Sequence, residues 1–299
     1  MNTLNGIFPA IVTPFTRDGA VDVAGLLANF DAWNLTRLTG YLVLGSTGEV
    51  VHLDEMEKLT VLEKSRTSIP KTMPLIVGTG QHSTRATIEF TRRAAELGAT
   101  YALVVTPHYF KKEMTQAALK SFYLAVAEAS TIPVLLYSVP QFTGVQLAPE
   151  TIAALAEHQN IIGIKDSSGD IRTLIHTLSL VGDTFSVLTG SAPVLYPALL
   201  SGAKGAILAV ANFVPDLCVE IFRLAGQGKA REARLFQERL LLISEAIAGR
   251  YGIGGIKHAM NCIGYVGGNV RGPLEMPRTE AGQAIRACLE ESGFLRKNL

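Results

Sequence analysis

The chain has 299 residues, 48% of them hydrophobic and 18% charged, enough apolar material for a large core and too much for a disordered chain. Lysine and arginine number 27 against 26 aspartates and glutamates, a formal net charge of +1, so the basic field that nucleic-acid binding needs is missing. The cysteines Cys218, Cys262 and Cys288 are few and widely spaced, which fits neither a disulfide framework nor a zinc site and reads as reduced thiols in a reducing compartment.

From the start of the chain, Met1-Asn2-Thr3-Leu4-Asn5-Gly6 has no basic stretch ahead of an apolar run, and no secretory signal is evident. The first short apolar run is Ile7 to Val12. It is followed by Tyr41 to Leu44, Leu75 to Val77, Tyr101 to Val105, Val134 to Tyr137, Ile161 to Ile164, Phe185 to Leu188 and Ala206 to Val210. Most begin about thirty residues after the one before, the length of one strand–helix unit. Runs that are continuous rather than alternating suit strands buried on both faces. The stretches between them have helical spacing: Thr87, Phe90, Ala94, Ala95 and Leu97 share a face, with Arg92, Arg93 and Glu96 opposite. Eight such units predict an α/β fold, a closed (β/α)8 TIM barrel. An open doubly wound sheet is the alternative, but no Gly-x-Gly-x-x-Gly follows the first run.

After the eighth run, Glu220 to Ala225, Arg231 to Ala248 and Glu280 to Glu291 again show helical spacing, with glycines at 252, 254, 255, 264, 267 and 268 interrupting. No linker composition intervenes. The expected organisation is a single domain, residues 1–215 the barrel and 216–299 a C-terminal helical extension packed on it. No apolar run approaches the ~20 residues of a membrane span. The expectation is a soluble, cytoplasmic protein without nucleic-acid or membrane partners.

Barrels of this kind place their chemistry at the C-terminal ends of the strands. There the runs end in Gly45-Ser46-Thr47-Gly48-Glu49, Thr106-Pro107-His108-Tyr109, Tyr137-Ser138-Val139-Pro140, Lys165-Asp166-Ser167-Ser168 and Gly190-Ser191, and the eighth passes Ile207 to reach Asn212. Lys165 is the most informative. A lysine projecting from a buried strand is costly unless paired or neutral, and a neutral amine is the nucleophile that attacks a carbonyl. The competing reading is a salt bridge, to Asp166 or Glu49. Tyr137 ends the preceding strand and is either a core tyrosine or a proton carrier for imine chemistry. A phenol's ordinary pKa of about 10 then calls for a polarised hydroxyl chain, for which Ser46, Thr47 and Tyr109 are candidates. The Ser46–Thr47 loop offers hydroxyls and N–H groups to an anion, although such a sequence is also ordinary turn chemistry. Tyr109 and His108 serve equally well as loop packing. His52, His82, His158, His176 and His258 form no metal-ligand spacing, and no metal is expected.

Taken in order, the Gly-Ser-Thr-Gly-Glu loop, the stretch from Tyr137 to Gly144 and Gly163-Ile164-Lys165-Asp166 resemble the dihydrodipicolinate synthase and N-acetylneuraminate lyase superfamily of pyruvate-dependent class I aldolases. The resemblance covers nearly the whole chain. It implies that Lys165 is the Schiff-base lysine, Tyr137 the proton donor and acceptor, Thr47 the holder of the pyruvate carboxylate, and Ser46 its relay neighbour. It further implies that Tyr109 is a relay tyrosine reaching a neighbouring subunit's site, and that Ile207 makes a backbone contact to pyruvate. Gly190 is added as a substrate-binding candidate. The family commonly forms homotetramers, as dimers of dimers, and needs no metal or organic cofactor.

One departure concerns the second substrate. Dihydrodipicolinate synthases carry an arginine two residues after the proline, where this chain has Phe142, and phenylalanine offers no charge-assisted fork to a carboxylate. Ser138, the run from Tyr251 to Lys257, Gly264 to Gly268 and Arg271-Gly272-Pro273-Leu274 are instead similar to 4-hydroxy-2-oxoglutarate aldolases, which in turn differ at the Gly-Ser-Thr-Gly-Glu loop and at Phe142. The expected function is a Schiff-base lyase of 4-hydroxy-2-oxoglutarate aldolase type, with pyruvate as one partner. The alternatives are a 4-hydroxy-tetrahydrodipicolinate synthase, an aldolase or dehydratase acting on 2-keto-3-deoxy sugar acids, and a non-catalytic barrel that binds an oxo acid.

Overall fold

A computed structural model describes residues 4–295; Met1 to Thr3, part of the stretch read above for a signal, lie outside the described residues, as do residues 296–299. Each apolar run becomes a strand: β1 (Gly6–Pro9), β2 (Tyr41–Val43), β3 (Leu75–Gly78), β4 (Tyr101–Val105), β5 (Val134–Ser138), β6 (Ile161–Asp166), β7 (Ser186–Thr189) and β8 (Gly205–Leu208). They form one eight-stranded sheet in the order β1-β8-β7-β6-β5-β4-β3-β2, with helices between successive strands and further helices after the last. This is a (β/α)8 TIM barrel with a C-terminal helical extension. β6 runs beyond its apolar stretch to take in Lys165 and Asp166. The eighth run ends early, because Val210–Asn212 turns into a 3-10 helix. The buried Asn212 side chain holds that turn, donating to the carbonyls of Ala10 and Ala209 and accepting from the Val12 N–H.

By internal packing the chain divides into two compact units. One comprises the chain up to Gly6 with Pro74–Ile207; the other comprises Ile7–Met73 with the chain from Leu208 onward. In the first, β3 to β7 run parallel, with one shift of register where β6 meets β5: Val134 pairs with Ile161 but Leu135 with Gly163. Ala102, Val104, Val134, Leu136, Ile164 and Val187 share a buried cluster with Leu119, Phe122 and Tyr123 of the helix Gln116–Ala129 and with Ile152 and Leu155 of the helix Pro149–Ala156. Burying each large aliphatic or aromatic side chain there contributes about 1.5–3 kcal/mol. Successive strand residues point to opposite faces. The residues between them, Leu103 and Val105, Leu135 and Tyr137, Gly163 and Lys165, therefore take the face turned away from those helices. This alternation alone separates chemistry from core.

In the second unit, Ala10 pairs with Leu42 in parallel, and Ile11 N–H donates to the Leu42 carbonyl at 2.9 Å. Helices Pro215–Gly226, Ala230–Ile243, Arg250–Cys262 and Thr279–Glu291 make up the extension. The glycines expected to interrupt this region do so only in part. A π-helical turn at Ser244–Gly249 leads into the helix Arg250–Cys262, which breaks locally at Gly252 (φ 57, ψ −145), a conformation open to glycine alone without strain. The Asn29 side chain ties this region to the helix Val23–Trp33, donating to the Val266 carbonyl and accepting from its N–H, both at 2.8 Å. All the cysteines are free thiols, and among the described residues no helix is long and apolar enough to cross a membrane.

Candidate active site

Tyr137 on β5 and Lys165 on β6 are register partners, so neighbouring strands deliver them side by side on the face away from the helices. Both are buried, at 5% and 4% exposure. The Lys165 Nζ lies 4.4 Å from the centroid of the Tyr137 ring, inside the range over which an amine and an aromatic face attract. The phenol thus belongs to the immediate surroundings of the amine.

Neither salt-bridge partner weighed from the sequence takes Lys165. The Asp166 carboxylate turns to the following loop, accepting from the Ser168 N–H at 2.9 Å and its hydroxyl at 3.0 Å. Burial pushes the Asp166 pKa up, against the lowering effect of those bonds. Glu49 pairs with Lys257 instead. The next residues along the strands, Ser138 and Asp166, face the helices and line a narrow cavity with Thr173 and Thr177, so that cavity is not where Lys165 points.

Gly190 sets the third side. Its N–H donates to the Asp166 carbonyl at 2.7 Å, and a Cβ placed on it would overlap Ser167 Oγ and stand 2.9 Å from Lys165 Cε. The absence of a side chain at 190 is what leaves room for the lysine's terminal carbons. Ile207 lies fully buried on β8.

Tyr109 is not part of this group. It follows β4 with 76% exposure, stacked edge-on against Phe110 and His82. Phe142 is likewise exposed, at 68%, on the one-turn helix Pro140–Thr143.

Ser46 and Thr47 belong to the other unit, in a turn closed by Gly48 N–H to the Gly45 carbonyl and Glu49 N–H to the Ser46 carbonyl, both at 3.0 Å. Both residues are half-buried. The turn is bracketed by Leu44 and Glu49, each with φ of 55, a conformation that costs a non-glycine residue about 1–3 kcal/mol. Sequence reasoning missed what holds it. Lys257, wholly buried, donates to Glu49 Oε1 at 2.5 Å, to the Thr13 carbonyl at 2.7 Å and to the Asn269 carbonyl at 2.6 Å. Burial pushes the Lys257 ammonium down to about 8, against the pull of Glu49. Arg271 forks onto Glu57 with two bonds of 2.7 Å and lies over the Phe15 ring, 4.3 Å from its centroid. The available signal was a lone lysine among the apolar residues Ile256, Ala259 and Met260. Among the described residues no group of three or more histidine, cysteine, aspartate or glutamate side chains is placed to hold a metal ion.

A model of the dihydrodipicolinate synthetase family matches residues 3–292. The chain is 40% identical over 278 residues to the 4-hydroxy-tetrahydrodipicolinate synthase of Geotalea daltonii, covering 93% of this chain and 94% of the relative. To the enzyme of that name from Neisseria gonorrhoeae it is 36% identical over 294 residues, 98% of this chain and 100% of the relative. Among solved structures, dihydrodipicolinate synthase from Thermotoga maritima superposes with a TM-score of 0.94 at 30% identity, covering 98% of this chain and 100% of that one. The chloride-inhibited dihydrodipicolinate synthase from Acinetobacter baumannii, solved with pyruvate, gives 0.93 at 31% identity with the same coverage.

Proposed function

The chain belongs to the dihydrodipicolinate synthetase family of pyruvate-dependent carbon–carbon lyases, and we propose that Lys165 carries its pyruvate as an imine. The observation that carries this reading is the adjacency of Lys165 and Tyr137 on the face away from the helices, at 4.4 Å from Nζ to ring centroid. The unprotonated amine adds to the ketone carbon of pyruvate. The carbinolamine then loses water, and the protonated imine that remains draws electrons from C3. Loss of a C3 proton gives an enamine, whose C3 attacks an aldehyde carbon; water then releases the product from Lys165. Tyr137 moves protons at the carbinolamine and at the carbon–carbon bond step. The Ser46–Thr47 turn holds the carboxylate, Gly190 and Ile207 contact the bound oxo acid, and Tyr109 of a neighbouring subunit joins the relay.

For the second substrate, the names of the relatives favour 4-hydroxy-tetrahydrodipicolinate synthase activity, the condensation of pyruvate with aspartate semialdehyde, over the hydroxy-oxoglutarate reading drawn first from the sequence. Ser138 supports cleavage of 4-hydroxy-2-oxoglutarate as the second reading; Phe142 in place of arginine counts against the first without favouring the second. We infer a homotetramer, which the exposed Tyr109 and Phe110 support as a surface to be covered, and a cytoplasmic setting, which the free thiols support.

The test is reduction with borohydride under saturating pyruvate, followed by mass spectrometry of the Lys165 peptide. A reduced pyruvate adduct on Lys165 is expected; an unmodified peptide overturns the proposal. A panel then separates the outcomes. Condensation with aspartate semialdehyde marks the first reading, and pyruvate release from 4-hydroxy-2-oxoglutarate the second. A single dehydrated oxo acid from a 2-keto-3-deoxy sugar acid marks a dehydratase, and binding without turnover marks a silent barrel.

A further inference from the structure

Glu49 and Lys257 are the least exposed charged pair among the described residues, both side chains at 0%. A buried ion pair adds little net stability over an apolar pair of the same volume, so its position asks for another reason. That reason lies in the backbone Glu49 belongs to. It ends the turn that carries Ser46 and Thr47, and both it and Leu44 at the start hold positive φ, a conformation that persists only where the surroundings fix it.

The carboxylate is fixed on both oxygens. Oε1 accepts from Lys257, while Oε2 accepts from the Arg271 N–H at 3.0 Å and meets His52 Nδ1 at 3.2 Å. Lys257 is anchored in turn on the carbonyls of Thr13 and Asn269. The Thr13 hydroxyl donates to the Gly48 carbonyl at 2.8 Å. One continuous set of bonds thus runs from the helix Arg250–Cys262 to the last two residues of the turn, and every Lys257 hydrogen is engaged. The amine is a strut, not a nucleophile.

We propose that Lys257 and Glu49 are positioning residues for the carboxylate of the oxo acid, locking the Gly45–Glu49 turn so that the hydroxyls and N–H groups of Ser46 and Thr47 stay aimed at bound pyruvate. The inference rests on the reading that this turn holds the carboxylate. It adds that the C-terminal extension sets pyruvate affinity without touching pyruvate.

The test uses the full chain and the pyruvate concentration that gives half-maximal borohydride trapping of Lys165. The double variant Glu49→Gln/Lys257→Met removes both charges, so no unpaired charge is left buried. Glu49→Asp keeps both charges and draws the carboxylate back by one methylene, and it decides the matter if the double variant does not fold. In a variant whose melting shows a folded protein, half-saturation should rise tenfold or more, with KM for pyruvate rising by a larger factor than kcat falls. Unchanged half-saturation in such a variant, with Thr47→Ala raising it, overturns the positioning role and leaves the carboxylate reading standing. Unchanged half-saturation in Thr47→Ala removes the carboxylate reading, and the proposal with it.

Discussion

Replacing Gly190 with alanine offers a direct test of how closely the chain holds Lys165. The position has no positive φ, so alanine brings no backbone strain, and its effect comes from one methyl group. That methyl would lie 2.9 Å from Lys165 Cε and overlap Ser167 Oγ. Carbon atoms in contact rest about 3.5–4.0 Å apart, so the lysine's terminal carbons must retreat by about 0.6–1 Å. Displacing a reacting group by about 1 Å can cost about 100-fold in rate, equivalent to about 2.7 kcal/mol of barrier. Both obstructing atoms sit near the ends of flexible side chains, so the fold should survive with the modest loss of about 1–3 kcal/mol typical of overpacking. The expected result is a folded protein, by circular dichroism and melting, whose imine trapping and turnover both fall about 10- to 100-fold. A companion variant, Gly190→Ala/Ser167→Ala, should recover melting temperature but not rate, because it relieves the serine and leaves the lysine displaced. A folded Gly190→Ala protein that traps pyruvate and turns over at wild-type rates would falsify the reasoning, since Lys165 would then not need the space beside residue 190.

Three further outcomes follow from the same structure. Tyr137→Phe keeps the buried ring and removes the hydroxyl, so melting should stay near wild type while turnover drops about 10²–10⁴-fold; a drop smaller than threefold would remove the phenol from proton transfer. Phe142→Arg, at a site 68% exposed, should leave stability nearly untouched and lower KM for an aldehyde bearing a carboxylate; unchanged KM places Phe142 away from that carboxylate. The Arg271 fork holds the Glu57 carboxyl below its ordinary value of 4.5. A lowered carboxyl pKa gives stability that is fully present above the unfolded value and lost as pH falls through the folded one. Glu57→Gln should therefore melt lower at neutral pH and show a flatter loss below pH 4.5 in a pH series of melting curves; a parallel loss in both proteins removes the pair from acid stability.

Much of the barrel is legible in the chain because strands buried on both faces advertise themselves as apolar runs. Their polar tips are less visible. The ladder of β6 continues through Lys165 and Asp166, opposite Leu188 and Thr189, since backbone hydrogen bonds do not depend on side-chain polarity. The glycine-rich stretch from 252 conceals the helix Arg250–Cys262, where burial of Ile256, Ala259 and Met260 outweighs poor intrinsic propensity. Lys165 and Tyr137 are readable as a pair because each stands at the end of an apolar run and the two runs are consecutive. Glu49 and Lys257 are not, standing 208 positions apart with no local pattern to join them. Tyr109 marks another boundary of sequence reading, since within a single chain it lies in solvent.

The distance along the chain between Glu49 and Lys257 also orders events during synthesis. When the last strand, Gly205–Leu208, has left the ribosome, all eight strands exist, yet the lysine that fastens the early turn has not been made. A nascent chain at that stage, or one clipped ahead of residue 257, carries Lys165 and Tyr137 but an unfastened turn. On the positioning role proposed for Lys257, affinity for the oxo acid would come only after residue 257 is made, later than the strands that carry Lys165 and Tyr137.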